Sequence, residues 1–280
     1  MAVILRTFHR VNRARVGYIP SERESLTANR IYYVRTDGND ANNGLSNTSA
    51  GAFATIQYAV DRAVNLDPMN YSITIQIGDG TYDEGFVYLP WHIGSRSIIL
   101  QGNETTIGAV VIQGSTNHTI FCEGWWTIRH VEVKNVSAGY SNVYAQFSGF
   151  LSIGDGVQFG STVSNAAHII AYYGASIFAG NSDIRISGNA ITAIQASYGS
   201  FVDFSNTNIV FVGSRTFSSF FVYAGLESTI RATGFTWSGT TPTTTRYRVG
   251  ELSTLTAGNA SATYFPGTIA GSVATGGLYI

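Results

Sequence analysis

Two carboxylates in this chain stand where a glycoside-cleaving pair would be sought. Asp203 lies four residues after Gly199, and Glu227 lies two residues after Gly225. If those glycines hold the same place in consecutive repeats, Val202, Phe204 and Ile230 turn inward and both acids turn outward. One repeat and two residues then separate them by about 8 Å. Hydrolysis of a glycosidic bond uses two carboxyl groups roughly 5 to 9 Å apart, one protonated and one ionised. Asp203 and Glu227 are therefore the catalytic candidates if the chain is an enzyme. Arg231 competes for Asp203, and an ion pair on a sheet surface explains the same residues without catalysis. Asp155 and Asp183 form a second pair whose alignment is looser.

Other chemistries have less to work with. A lyase would need acids clustered around calcium and a base, yet no two of Glu123, Asp155, Asp183, Asp203 and Glu227 share a column of the repeat. Asp37, Asn39, Asp40 and Asn42 carry oxygen donors for a cation, but such residues beside glycine ordinarily build turns. His118, Cys122 and His130 match no zinc spacing and lack a fourth ligand. No nucleophile elbow, phosphate loop or dinucleotide fingerprint occurs. Neither a metal nor a cofactor is expected. Binding has more candidates, because aromatic faces with polar tips stack on sugar rings. On a strand the adjacent Trp125 and Trp126 must point to opposite faces, so one is outward. They are the glycan-binding candidates, with packing in a subunit interface as the alternative, while Trp237 falls in an inward column.

What positions these residues is a repeat. Gly78, Gly102, Gly124, Gly149, Gly174, Gly199 and Gly225 recur at intervals of 24, 22, 25, 25, 25 and 26 residues. Ile184 and Ile186, Ile209 and Phe211, and Phe235 and Trp237 follow three of them at equal offsets. Short β-branched and aromatic runs of period two, broken by Gly, Asn and Ser, read as strands joined by turns. The leucine framework of leucine-rich repeats is missing. The fold class is all-β: a parallel β-helix of about seven coils.

The composition is dry and aromatic, with 12% charged and 13% aromatic residues and a net charge of −1. That charge favours neither nucleic acid nor an acidic partner. No apolar run reaches the length of a membrane span, so no membrane insertion is expected. Four apolar residues between Met1 and Arg6 are too few for a secretion signal. The single cysteine, Cys122, permits no intrachain disulfide and reads as a buried apolar residue.

Four segments follow. Residues 1–30 form an arm that is locally basic, with Arg6, Arg10, Arg13 and Arg15 interleaved with apolar residues. Residues 31–70 hold a strand, a turn-rich loop and an amphipathic helix in which Ile56, Ala59, Val60 and Ala63 recur at helical spacing. That helix caps the open first coil. Residues 71–240 are the β-helix, and residues 241–280 read as a linker, TTPTTT, and an extended glycine-rich tail. Consecutive apolar residues at 98–100, 110–112, 169–173 and 220–223 imply that the outside of one sheet is covered. Shafts packed around an axis in a cyclic oligomer would cover it, as would the tail within one chain.

Residues 32–63, YYVRTDGNDANNGLSNTSAGAFATIQYAVDRA, resemble the N-terminal cap of bacteriophage tail spikes and fibres with a pectate-lyase-like right-handed β-helix. The matching positions are Asp37, Gly38, Asn39, Asp40, Asn43 and Gly44, then Ala52, Phe53, Thr55, Ile56, Gln57, Ala59, Val60 and Asp61. The ending PGTIAGSVATGGLYI is similar to the C-termini of such proteins. The resemblance implies right-handed coils, a homotrimer, and a virion protein made in the bacterial cytoplasm. It also implies attachment to other virion proteins through the N-terminal arm, with the shaft meeting host surface glycan. The alternatives are a polysaccharide depolymerase, or a head decoration or collar protein without a ligand. The family's lyase site has no matching residues here.

Overall fold

A computed structural model describes residues 23–163 and 166–280. Short strands stack coil upon coil into three parallel sheets of ten, eight and seven strands, forming a right-handed β-helix of about eight turns. Each turn runs from the eight-stranded sheet around a corner into the ten-stranded sheet, on to the seven-stranded sheet and back. The strands 143–145, 150–153, 157–159 and 167–171 trace one such circuit.

Alternation sorts the side chains. In the ten-stranded sheet Ile75, Leu100 and Ile128 align from coil to coil and are buried. Val202, Ile230 and Leu255 continue the same inward logic further along. Burying like on like in every turn gives a continuous apolar column, which supplies most of the stabilisation of such a shaft. Cys122 lies in it, fully buried.

The corner leading into the ten-stranded sheet uses left-handed backbone in successive turns, at Ser148, Gly174, Gly199, Glu227, Leu252 and Gly276, with φ between 61° and 76°. Glycine suits that conformation, and other residues adopt it under strain.

The capping helix spans Ile56–Ala63 and buries Ile56, Ala59, Val60 and Ala63, as its periodicity predicts. Two distant carboxylates hold its start. Asp40 accepts from the Ala54 and Thr55 N–H groups and from the Thr55 hydroxyl. Glu84 accepts from the N–H groups of Ile56 and Gln57, which otherwise lack partners at a helix N-terminus. Asn42 ties the loop by donating to the Ser49 and Ala52 carbonyls. Gly44, at φ 74°, lies against the Phe53 ring, where an added Cβ would come within 2.2 Å. The residues that carry the sequence resemblance thus build the cap itself.

Two expectations about boundaries change, and one about the covered face. Residues 23–30 belong to the folded body, since Leu26 is buried and its N–H bonds to the Asp67 carbonyl. Arg6, Arg10, Arg13 and Arg15 lie outside the described residues. At the other end, residues 241–280 continue the shaft rather than form a linker and an extended tail: Thr243–Val249, Thr254–Thr256, Ser272–Val273 and Leu278–Tyr279 add strands to it. Within the run that reads as linker, Thr243, Thr244 and Thr245 are β-branched and open the strand Thr243–Val249 along the edge of the preceding coil. The four apolar runs also fall on all three sheets rather than on one. Among the described residues no helix is long and apolar enough to cross a membrane.

Candidate glycan-facing surface

The carboxylates read from the sequence are not brought together. Phe201 pairs with Thr229 and Asp203 with Arg231, a step of 28 residues, so the residue opposite Asp203 is a cation. Glu227 stands level with Gly199 at the corner. It sits in left-handed backbone two residues before the strand Thr229–Arg231 begins, so it does not share the outer face of the strand that pairs with Asp203. Asp203 keeps its outward place in the sheet but is only 4% exposed, because Arg231 folds over it. The Arg231 guanidinium donates to Oδ2 through two nitrogens, and the Ser205 N–H donates to Oδ1 at 2.8 Å. Burial pushes the Asp203 carboxyl up, but Arg231 and Ser205 outweigh it and leave it below the ordinary value. The result is a closed, ionised pair, unsuited to donating a proton to a leaving group. Asp155 accepts from the Asp183 N–H and so serves the backbone of the next coil.

The other candidates also have structural places. Arg35 is paired with Asp37, and Asn103 donates to Asp79, in an open polar cleft of about 740 Å³ that Glu104 also lines. In the neighbouring loop Asn39 accepts from the Ala41 N–H. Among the described residues no three of His, Cys, Asp and Glu gather where they could hold a metal ion. His118 stacks on Tyr144 on the outside of the shaft, whereas Cys122 points inward.

The tryptophans divide as alternation requires. Trp126 is fully buried, and its Nε1 donates to the Pro90 carbonyl at 2.8 Å. Trp125 is 37% exposed and meets Phe150 edge-on at 6.0 Å. It heads a ladder on the outer face of the ten-stranded sheet. Phe150 stacks on Phe178 at 4.7 Å, Phe178 meets Phe201 at 5.4 Å, and the Arg231 guanidinium lies 5.9 Å from the Phe201 ring centre. Trp237 is inward, paired with Ile209 and packed against the core.

Sequence reasoning missed a second aromatic column. Phe147, Tyr173 and Tyr198 sit at the corner in successive turns, with centroid distances of 5.6 and 4.9 Å. They are 58, 47 and 46% exposed. Each directly precedes a left-handed corner residue, so an aromatic before the corner position was the available signal. Tyr88, Phe121, Tyr144 and Tyr172 carry the series over the eight-stranded sheet. There Glu123 accepts from the Tyr88 hydroxyl and from Gln146. The corner column runs on into the series over the eight-stranded sheet, since Tyr172 meets both Tyr173 and Tyr198, at 5.6 and 5.2 Å. The ladder headed by Trp125 stands on the next sheet along the chain, and the two sets are the aromatic residues of the outer surface.

No protein-family profile matches this chain, and no curated protein matches its sequence. Among solved structures it is similar to pectin methylesterase from carrot, at 13% identity over 86% of this chain and 87% of that one, with a TM-score of 0.46. It is also similar to pectin methylesterase from Aspergillus niger, at 18% identity over 78% and 84%, with a TM-score of 0.42. A third is the GH136 lacto-N-biosidase from Eubacterium ramulus, at 10% identity over 90% and 67%, with a TM-score of 0.33. Likeness at this level does not carry chemistry from one chain to another, because function resides in sites rather than folds.

Proposed function

We propose that this chain is a polysaccharide-binding β-helix whose outer aromatic surface holds glycan without cleaving it. The observation that carries the reading is the exposed Trp125 indole at the head of the Phe150, Phe178 and Phe201 ladder. Stacking on such rings is a favourable mode for sugars. The closed Asp203–Arg231 pair supports binding over hydrolysis. The setting we propose is a virion appendage, a tail spike or fibre subunit. It is supported by the likeness of residues 32–63 to phage cap sequences and of the ending PGTIAGSVATGGLYI to the C-termini of such proteins. In that setting the chain is a homotrimer, docked to other virion proteins through Arg6, Arg10, Arg13 and Arg15.

The test is incubation of the purified protein with capsular polysaccharide and lipopolysaccharide. Binding is followed by calorimetry, products by reducing ends and unsaturated sugars, and assembly by sedimentation. Binding without new ends supports the reading. New ends make the chain a depolymerase, and a monomer in sedimentation removes the trimer.

A further inference from the structure

The corner column of rings stops at Tyr198, and a cleft opens where it stops. One coil on, Leu226 takes the place of a ring and Glu227 takes the place of the glycine. In the coil after that the corner is Glu251 and Leu252. The missing ring leaves a cleft of about 520 Å³ lined by Tyr198, Gly199, Leu226, Glu227, Glu251 and Leu252. Within the column Tyr173 lies between Phe147 and Tyr198, and Tyr198 is the last ring before the cleft.

Two carboxylates and no cation line this cleft. Thr229 pairs with Thr254, which sets Glu227 beside Leu252 and Glu251 beside Leu226 in the stack. The Glu227 N–H donates to the Glu251 carbonyl at 2.8 Å, fixing the two corners to each other. Glu251 Oε2 accepts from the Leu226 N–H at 3.1 Å, which orients that side chain. An ionised carboxylate is acceptor-only, so this pair suits a ligand rich in hydroxyl or ammonium donors and repels a carboxylate.

We infer that this cleft is a sugar subsite that takes a neutral or amino sugar in preference to a uronic or sialic acid. The sugar ring continues the aromatic column beyond Tyr198, and its hydroxyls donate to Glu227 and Glu251. The inference rests on the polysaccharide-binding reading and adds to it where one unit sits and which sugars are refused.

The experiment uses the whole protein and two probe sets, neutral hexose and hexosamine oligosaccharides and their uronic-acid counterparts, titrated by calorimetry. Wild type should bind the neutral or amino set and show at least tenfold weaker binding to the acidic set. Tyr198→Ala and Leu226→Trp, the second filling the cleft, should each weaken binding about tenfold or more. Glu227→Gln with Glu251→Gln should reduce the discrimination against acidic sugars severalfold, with the fold checked by circular dichroism. Binding that Trp125→Ala abolishes but Tyr198→Ala and Leu226→Trp leave intact would overturn the subsite and preserve the broader reading. Preference for the acidic set would overturn the subsite too. No binding of any probe by wild type would overturn both.

Discussion

Glu227 occupies in its coil the place that Gly199 holds one turn earlier, both in left-handed backbone, at φ 63° and 70°. Such a conformation costs a non-glycine residue roughly 1–2 kcal/mol. Glu227→Gly is therefore expected to stabilise the protein by roughly 0.5–1 kcal/mol, after allowing for the greater freedom of glycine in the unfolded chain. Urea unfolding measures this, and an equal loss would mean that the Glu227 side chain stabilises the corner.

Gly44 in the cap tests the opposite case. Its φ of 74° and the Phe53 ring 2.2 Å from any added Cβ leave no room for alanine. We expect Gly44→Ala to cost about 2–3 kcal/mol, seen as a lower unfolding midpoint. A neutral outcome would show that the loop repacks without the Phe53 contact.

The adjacent tryptophans should separate stability from binding. Trp126→Ala removes a fully buried indole and its bond to Pro90, for a loss of about 3–5 kcal/mol. Trp125→Ala should leave the unfolding midpoint nearly unchanged and weaken polysaccharide binding. Both are read by paired unfolding and calorimetric titrations.

Acid should destabilise the shaft through His168. This ring is fully buried, with Asn142 donating to Nδ1 and Nε2 donating to the Gly188 carbonyl, so both nitrogens are satisfied in the neutral form. Burial lowers its pKa from 6.5 to about 4. Because the folded value lies below the unfolded one, the stability it contributes is complete above pH 6.5 and is lost as pH falls toward 4. By pH 5 the loss is on the order of 2 kcal/mol. Urea midpoints at pH 7 and pH 5, compared in wild type and His168→Gln, check it: the variant should lose less.

Much of the architecture was legible in the sequence because the coil repeats its inward residues. The helix at residues 56–63 and the split between Trp125 and Trp126 came from the same periodicity. The register was less legible. Gly78 and Gly102 follow strands of the ten-stranded sheet, whereas Gly174 and Gly199 precede them, so the recurring glycine marks two different corners. Between Gly199 and Gly225 the coil steps by 28 residues, with a register shift opposite Ala190 and Thr192. Gly225 therefore falls level with Ser197, and Asp203 faces Arg231 instead of lying near Glu227. Side chains such as Asp40, which reaches Thr55 across 15 residues of loop, have no periodic signature at all.

Binding of polysaccharide by the outer aromatic surface without cleavage is tested by calorimetric titration of wild type and Trp125→Ala with one host polysaccharide, with reducing ends assayed on the same samples. Wild type is expected to bind saturably and Trp125→Ala at least tenfold more weakly, with no new ends in either. Equal binding by both proteins, or new ends that disappear in Asp203→Asn, would contradict this expectation.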